Sequence, residues 1–318
     1  MLVVILFSLV GLVLLIKGAD IFVDGAASFA RNLRIPTAVI GLTVVAFGTS
    51  APEMAISFSS HLSNNIDMLY GNVIGSSIAN ILVILGIAVF VVPFKVETAV
   101  IKKDIPIMLL VTLGLSVLLL DSLFDGSATN TLSRADGIIL ILFFSVFVFY
   151  LMTLLSHRKD NNTDDKKPKF KIPKSVVFVI FGLGSIIVGA ELAVRNVAIL
   201  AESIGISQKI ISVTVISIGT SLPELATTVV AAKKGENNLA IGNIVGSNIF
   251  NICIVLGLPM ALLGGTSTAA FGIVDVLFMI GAAVLLWIFA ATNKTLKRTE
   301  GLILFAVYCV YCGYILMQ

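Results

Sequence analysis

The chain has 318 residues, of which 58% are hydrophobic and 12% charged, with a net charge of +3 and a mean hydropathy of +1.08. A soluble globular protein of this length carries roughly twice that share of charge, so a water-soluble domain is excluded. The apolar residues also fall in long runs, which points to an integral membrane protein with the lipid bilayer as its main partner and no nucleic acid.

Ten runs are long enough to cross a hydrocarbon core of about 30 Å. They lie near 1–24, 36–60, 68–92, 104–121, 134–156, 174–200, 208–232, 238–263, 270–292 and 299–317. None alternates as a barrel strand would, so helices are the expected way to satisfy the backbone in lipid. The first run lacks a basic leader and a small-residue cleavage site, and reads as a retained helix rather than a signal peptide. After the fifth run comes the one long polar stretch, RKDNNTDDKKPKFKIPK (158–174). Its composition is that of a flexible connector. The expected organisation is therefore a first five-helix unit at 1–156, a cytoplasmic connector at 157–173 and a second five-helix unit at 174–318. Cys253, Cys309 and Cys312 all lie inside predicted spans and read as packing residues.

Loop charge sets the expected orientation. With the N-terminus outside, the loops on the cytoplasmic side hold seventeen Lys and Arg, and those outside hold only Arg134, Arg195 and Lys209. By the positive-inside rule both termini are extracellular.

The second half repeats the first at a constant offset of 171 residues. Gly18-Ala19-Asp20 falls on Gly189-Ala190-Glu191, and GTSAPE (48–53) falls on GTSLPE (219–224). The pattern GN-x-x-GS-x-I-x-N-I at 71–81 falls on the same pattern at 242–252. Five spans per half is an odd number, so the two copies enter the membrane with opposite polarity. Such inverted repeats place transport sites near the bilayer midplane and suit alternating access.

Within this frame Glu53 and Glu224 stand in the middle of apolar spans. A charge at the bilayer centre costs about 2.5–3.5 kcal/mol on insertion scales, so such residues mark sites or pathways. Pro52 and Pro223, with Gly48 and Gly219, are expected to break each helix and free carbonyls around Ala46 and Ser217. Those carbonyls join the hydroxyls of Thr49, Ser50, Thr220 and Ser221 in an all-oxygen environment of the kind hard cations prefer. The only histidines are His61 and His157, so a transition-metal site has no support. Ser76 with Asn80, and Ser247 with Asn251, are i, i+4 pairs that present both side chains on one helix face. Two carboxylates balance one divalent ion or more than one monovalent ion, and Ca²⁺ sheds water more readily than Mg²⁺. Asp20, Asp24, Lys17 and Glu191 read as local salt bridging or snorkelling. Asp275 has no acidic counterpart at matching depth and receives no role.

The doubled blocks GTSAPE and GTSLPE, each followed by GN-x-x-GS-x-I-x-N, resemble the alpha repeats of the sodium/calcium exchanger family within the cation/calcium antiporter superfamily. That resemblance implies a ten-helix, all-α transporter of the cell membrane. It also implies that Glu53 and Glu224 are carboxylates shared by Ca²⁺ and Na⁺, and that Thr49 and Thr220 give backbone carbonyls to the calcium site. Ser50, Ser76, Ser221 and Ser247, with carbonyls of Ala46 and Ser217, would complete flanking sodium sites, and Asn80 and Asn251 would line the centre. The first and sixth helices would slide against the rest as a gating unit. Asn251 departs from members that carry Asp there, which argues against potassium co-transport. The expected activity is Na⁺/Ca²⁺ antiport by a protein that is not an enzyme, needs no cofactor and works as a monomer. H⁺/Ca²⁺ antiport and, further off, a passive cation channel stay open as alternatives.

Overall fold

Leu2–Asn32 forms one unbroken helix, α1, in a computed structural model that describes residues 2–124, 126, 129–157, 166–203, 217–268 and 272–317. It runs eight residues beyond the apolar stretch read from sequence, because its last turns bury Ala26, Ala27 and Ala30 in the protein. Its outer face presents Val3, Leu6, Leu9, Val13 and Ile16, all more than half exposed, as expected of a lipid-facing stripe.

The next helical stretch is broken. α2 (Thr37–Thr49) and α3 (Ala51–Leu62) meet at Ser50 with a bend of 46°. Next come α4 (Ile66–Val91), α5 (residues 98–119), the short α6 (Asp121–Phe124) and α7 (Arg134–His157). The second half contains α8 (Ile172–Ser203), α9 (Ser217–Thr220), α10 (Leu222–Lys233), α11 (Asn237–Leu263), α12 (Ile273–Asn293) and α13 (Arg298–Leu316). Among the described residues six helices are long and apolar enough to cross a membrane, or seven if α2 and α3 are one span. Residues 158–165 of the connector, and the start of the seventh predicted span (208–216), lie outside the described residues.

Two short ribbons tie the halves together. β1 (Phe94–Lys95) pairs antiparallel with β4 (Thr295–Leu296), and β2 (Asn130–Leu132) with β3 (Thr266–Thr268). The centre belongs to α11, 94% buried along its apolar window, and α4, 72% buried; α1 and α8, at 28%, lie outside them. α1 and α8 form a long pair whose backbones touch at small residues, as membrane helices do when packing rather than water exclusion drives association. A Cβ on Gly189 would lie 2.5 Å from Leu15 N, and one on Gly182 would lie 2.6 Å from Phe22 N. Gly11 meets Gly189, and Gly18 meets Gly182. These four positions are related by the 171-residue offset, so each contact is the exchange mate of the other.

The offset also accounts for Asp275. Its counterpart is Asp104, and the two act alike: Tyr150 Oη donates to Asp104 Oδ1 at 2.7 Å, and Tyr311 Oη to Asp275 Oδ1 at 2.9 Å. Asp275 also accepts from Gly272 N at 3.0 Å, in the first turn of α12. The expectation that it has no acidic counterpart fails, because its depth follows the repeat and not the apolar run.

Candidate ion-binding site

The two broken helices supply the central acids. At the first break Ser50 has left the helix (φ −85°, ψ 8°), and at the second Ser221 has done the same (φ −91°, ψ 5°). Pro52 and Pro223 follow in the first turn of α3 and α10, where a missing N–H is tolerated. Glu53 and Glu224 therefore sit in the first turn of a helix that starts inside the protein, near the positive end of its dipole. Each is 1% exposed.

One backbone detail corrects the sequence reading. Ala46 is buried, but its carbonyl accepts Ser50 N at 3.0 Å and Thr49 Oγ1 at 3.4 Å, so it is engaged rather than freed. The proline effect falls two residues later, since Pro52 cannot donate to the Gly48 carbonyl four positions back. Ser217 opens α9, and its side chain lies outside the described residues.

The other predicted residues converge on the breaks. Thr49 and Ser50 are fully buried, Ser221 and Ser76 are 7% exposed, and Thr220 is half-buried. Ser50 Oγ reaches across the repeats to donate to Glu224 Oε1 at 3.1 Å. Asn251 Nδ2 donates to Ser76 Oγ at 3.2 Å, joining α11 to α4, while Ser76 Oγ turns back to the Asn72 carbonyl. Asn80 and Asn251 each open a π-helical stretch, Asn80–Leu85 and Asn251–Leu256, whose wider turn is common at functional sites. The stretch after Asn80 packs on α10, which carries Glu224, and the stretch after Asn251 packs on α3, which carries Glu53. The pairing of acids and asparagines is thus crossed between the repeats.

The polar atoms here are under-satisfied. Glu53 Oε2, Glu224 Oε2, Asn251 Oδ1, Ser247 Oγ and both side-chain polar atoms of Asn80 are buried without a hydrogen-bond partner among the described residues. Ser77 Oγ and Asn248 Oδ1, themselves 171 apart, share that condition. Leaving one such group unpaired costs about 1–3 kcal/mol and more for a charged one, so a cluster of them makes no sense as packing. The donors are all oxygens or amides. Among the described residues no three His, Cys, Asp or Glu side chains gather, so neutral oxygens must complete any coordination shell around the two carboxylates.

Asn72 and Asn243 belong to the repeated GN-x-x-GS pattern, which by itself assigns them no task. Asn72 Nδ2 donates to the Glu53 carbonyl and to Ser57 Oγ, both at 2.9 Å. Asn243 Nδ2 donates to Thr228 Oγ1 at 3.0 Å, and its Oδ1 accepts from Thr49 Oγ1 at 3.2 Å. They brace α3 and α10 against the central helices and so set where the acids point. Recurrence at the 171-residue offset was the signal that could have found them. The charged residues near the end of α1 were read as locally paired, but their partners are distant in sequence. Lys234 Nζ lies 2.8 Å from Asp20 and 2.9 Å from Asp24, and Lys169 Nζ lies 2.8 Å from Asp24.

A multi-pass helical bundle, broken around buried carboxylates and orphaned oxygens, defines a secondary cation transporter. Comparison with known proteins narrows that class. The sequence model described as "Sodium/calcium exchanger protein" matches residues 3–153 and 174–317. The inner membrane protein YrbG of Escherichia coli (strain K12) is 40% identical, over 81% of this chain and 79% of its own length. The sodium/calcium exchanger MaX1 of Methanosarcina acetivorans is 32% identical over 96% of each chain. Among solved structures, the sodium-calcium exchanger NCX_Mj soaked with Na⁺ and without Ca²⁺ superposes with a TM-score of 0.83 at 30% identity, covering 98% of this chain and 99% of the other. The chain belongs to the sodium/calcium exchanger family and is a multi-pass membrane antiporter of that class.

Proposed function

We propose that this protein exchanges Na⁺ for Ca²⁺ by alternating access, with both ions competing for Glu53 and Glu224. In this reading it has ten transmembrane helices in two inverted halves, 1–156 and 174–318, joined by a cytoplasmic connector at 157–173, with both termini outside. Thr49, Thr220, Ser50, Ser221, Ser76, Ser247, Asn80 and Asn251 supply neutral oxygens, with a backbone carbonyl near Ser217 and the remaining acceptor position of the Ala46 carbonyl. The observation that carries the reading is the cluster of unpartnered oxygens around two acids on repeat-related broken helices. The two-carboxylate charge suits one divalent ion, or more than one monovalent ion in its place.

Asymmetry between the repeats supports alternating access. Side chains of α8 lie against both breaks, Leu183 against Gly48 and Val194 against Gly219. Exchange of the repeats would bring Leu12 and Val23 of α1 to those places. Likewise α1 packs along α10 on the connector side, whereas α8 makes no comparable contact with α3 among the described residues. One such arrangement and its mirror are the two end states that sliding of the α1/α8 pair would connect.

The test is ion flux in sealed vesicles containing the purified protein. An outward Na⁺ gradient is expected to drive Ca²⁺ uptake, and a pH gradient without Na⁺ is expected to drive none. Uptake that follows the pH gradient alone would establish proton coupling, and Ca²⁺ movement without any counter-ion would establish a channel.

A further inference from the structure

A cavity of about 530 Å³ opens on the face that carries the connector, and neither Glu53 nor Glu224 lines it. Its walls come from the segments that follow α1, precede α5, precede α11 and follow α12, and from Lys166 and Pro168 of the connector. Arg34, Lys95 and Lys294 line it, all exposed and none in an ion pair among the described residues. The β1–β4 ribbon sets Lys95 opposite Thr295, the residue after Lys294, and Val96 N donates to the Lys294 carbonyl at 2.9 Å. Arg34 and Lys294 both adopt left-handed backbone conformations, φ 56° and 52°, which non-glycine residues seldom take.

The two acids in the wall are already spoken for. Glu236 accepts Arg31 at 2.7 Å and Lys166 at 3.2 Å, and Glu97 accepts Asn238 Nδ2 at 2.6 Å. The remaining potential is positive. Three helices also begin at this cavity, at Thr37, Thr98 and Asn237, so their first amide N–H groups and positive dipole ends face the same region. A positive-inside bias accounts for Lys and Arg being in these loops. It does not account for three cations without an ion pair among the described residues, and three helix starts, converging on one cavity of ligand size. A cation substrate gains nothing from such a lining.

We infer that this cavity is a binding site for a phosphate-bearing anion, held by Arg34, Lys95 and Lys294 together with the helix-start amides. A lipid headgroup and a soluble polyphosphate share that chemistry. The test uses full-length protein in phosphatidylcholine nanodiscs without divalent ions, titrated calorimetrically with inorganic pyrophosphate. Saturable binding is expected, weakened roughly tenfold in the double variant Lys95→Gln/Lys294→Gln by loss of two charge-assisted contacts. The double variant Lys102→Gln/Lys103→Gln removes the same charge from exposed residues of α5 outside the cavity and is expected to bind as the parent does. A second arm adds phosphatidic acid to the nanodiscs. Competition with pyrophosphate that depends on Lys95 and Lys294 identifies a headgroup as an occupant, and its absence identifies a soluble anion. Equal weakening in both double variants, or no response to either probe, would overturn the proposal.

Discussion

Lys234 lies where α10 ends, and its ammonium bridges to two acids of α1. The Asp20 contact is 2.8 Å between side chains 19% and 52% exposed, and the Asp24 contact is 2.9 Å between side chains 19% and 20% exposed. The first is a surface pair of at most about 1 kcal/mol after solvent screening, and the second is somewhat stronger because both partners are largely covered. Nothing at the equivalent position, Ser63, can make the opposite latch. Lys234→Met keeps the apolar stem and removes both pairs, while Asp24 retains Lys169 at 2.8 Å. The arrangement closed on the connector side should then lose about 1–2 kcal/mol, a factor of roughly 5–30 in its population relative to the open one. Hydrogen exchange of α10 reads that population directly, because its amides are covered by α1 only in the closed arrangement. Faster exchange across Leu222–Lys233 is expected, with α3 unchanged and the effect reduced at high salt. Lys233→Met, one residue away and exposed, should leave exchange alone. Unchanged exchange in α10, or equal acceleration in α3, would refute a latch between sliding units.

Asn72→Ala removes two 2.9 Å hydrogen bonds that brace the Glu53 turn, which should cost about 1–3 kcal/mol of stability and lower Ca²⁺ affinity, read by thermal unfolding and calcium titration. Gly189→Val forces a side chain into the backbone of α1 and should lower the midpoint of thermal unfolding, by overpacking of about 1–3 kcal/mol or more. Gly184→Ala, whose Cβ meets nothing within 4 Å, is the matched control and should leave the midpoint where it is or raise it. Asn251→Asp places a third acid beside Ser76. Because a carboxylate must lose its proton to bind a metal ion, Ca²⁺ affinity of this variant should rise more steeply between pH 6 and pH 8 than that of the parent, measured by titration at each pH.

Much of this architecture was legible because lipid simplifies the sequence code. Apolar runs placed α4, α7, α8, α11, α12 and α13 to within a few residues. Proline after glycine marked both helix breaks and, with them, Glu53 and Glu224. What could not be read were features set by packing. The π-helical turns at Asn80 and Asn251 have no local signature, since a helix widens to suit its neighbours. The Ala46 carbonyl was expected to be free, but it accepts Ser50 N because the α-helix continues through Thr49. Lys234 could not be matched to Asp20 and Asp24 from local spacing, as the pair spans more than two hundred positions. Asp104 and Asp275 were within reach, since the offset that found the acids links them too.

The central claim is that Ca²⁺ and Na⁺ share the oxygens of Glu53 and Glu224. Equilibrium Ca²⁺ titration of the purified protein, with and without Na⁺, measures this without assumptions about transport direction. Na⁺ should weaken Ca²⁺ binding competitively, and Glu53→Gln or Glu224→Gln should each weaken it by on the order of 100-fold, the loss expected when one of two charges leaves a low-dielectric site. Parent-like Ca²⁺ affinity in both variants, or Ca²⁺ binding indifferent to Na⁺, would contradict the account.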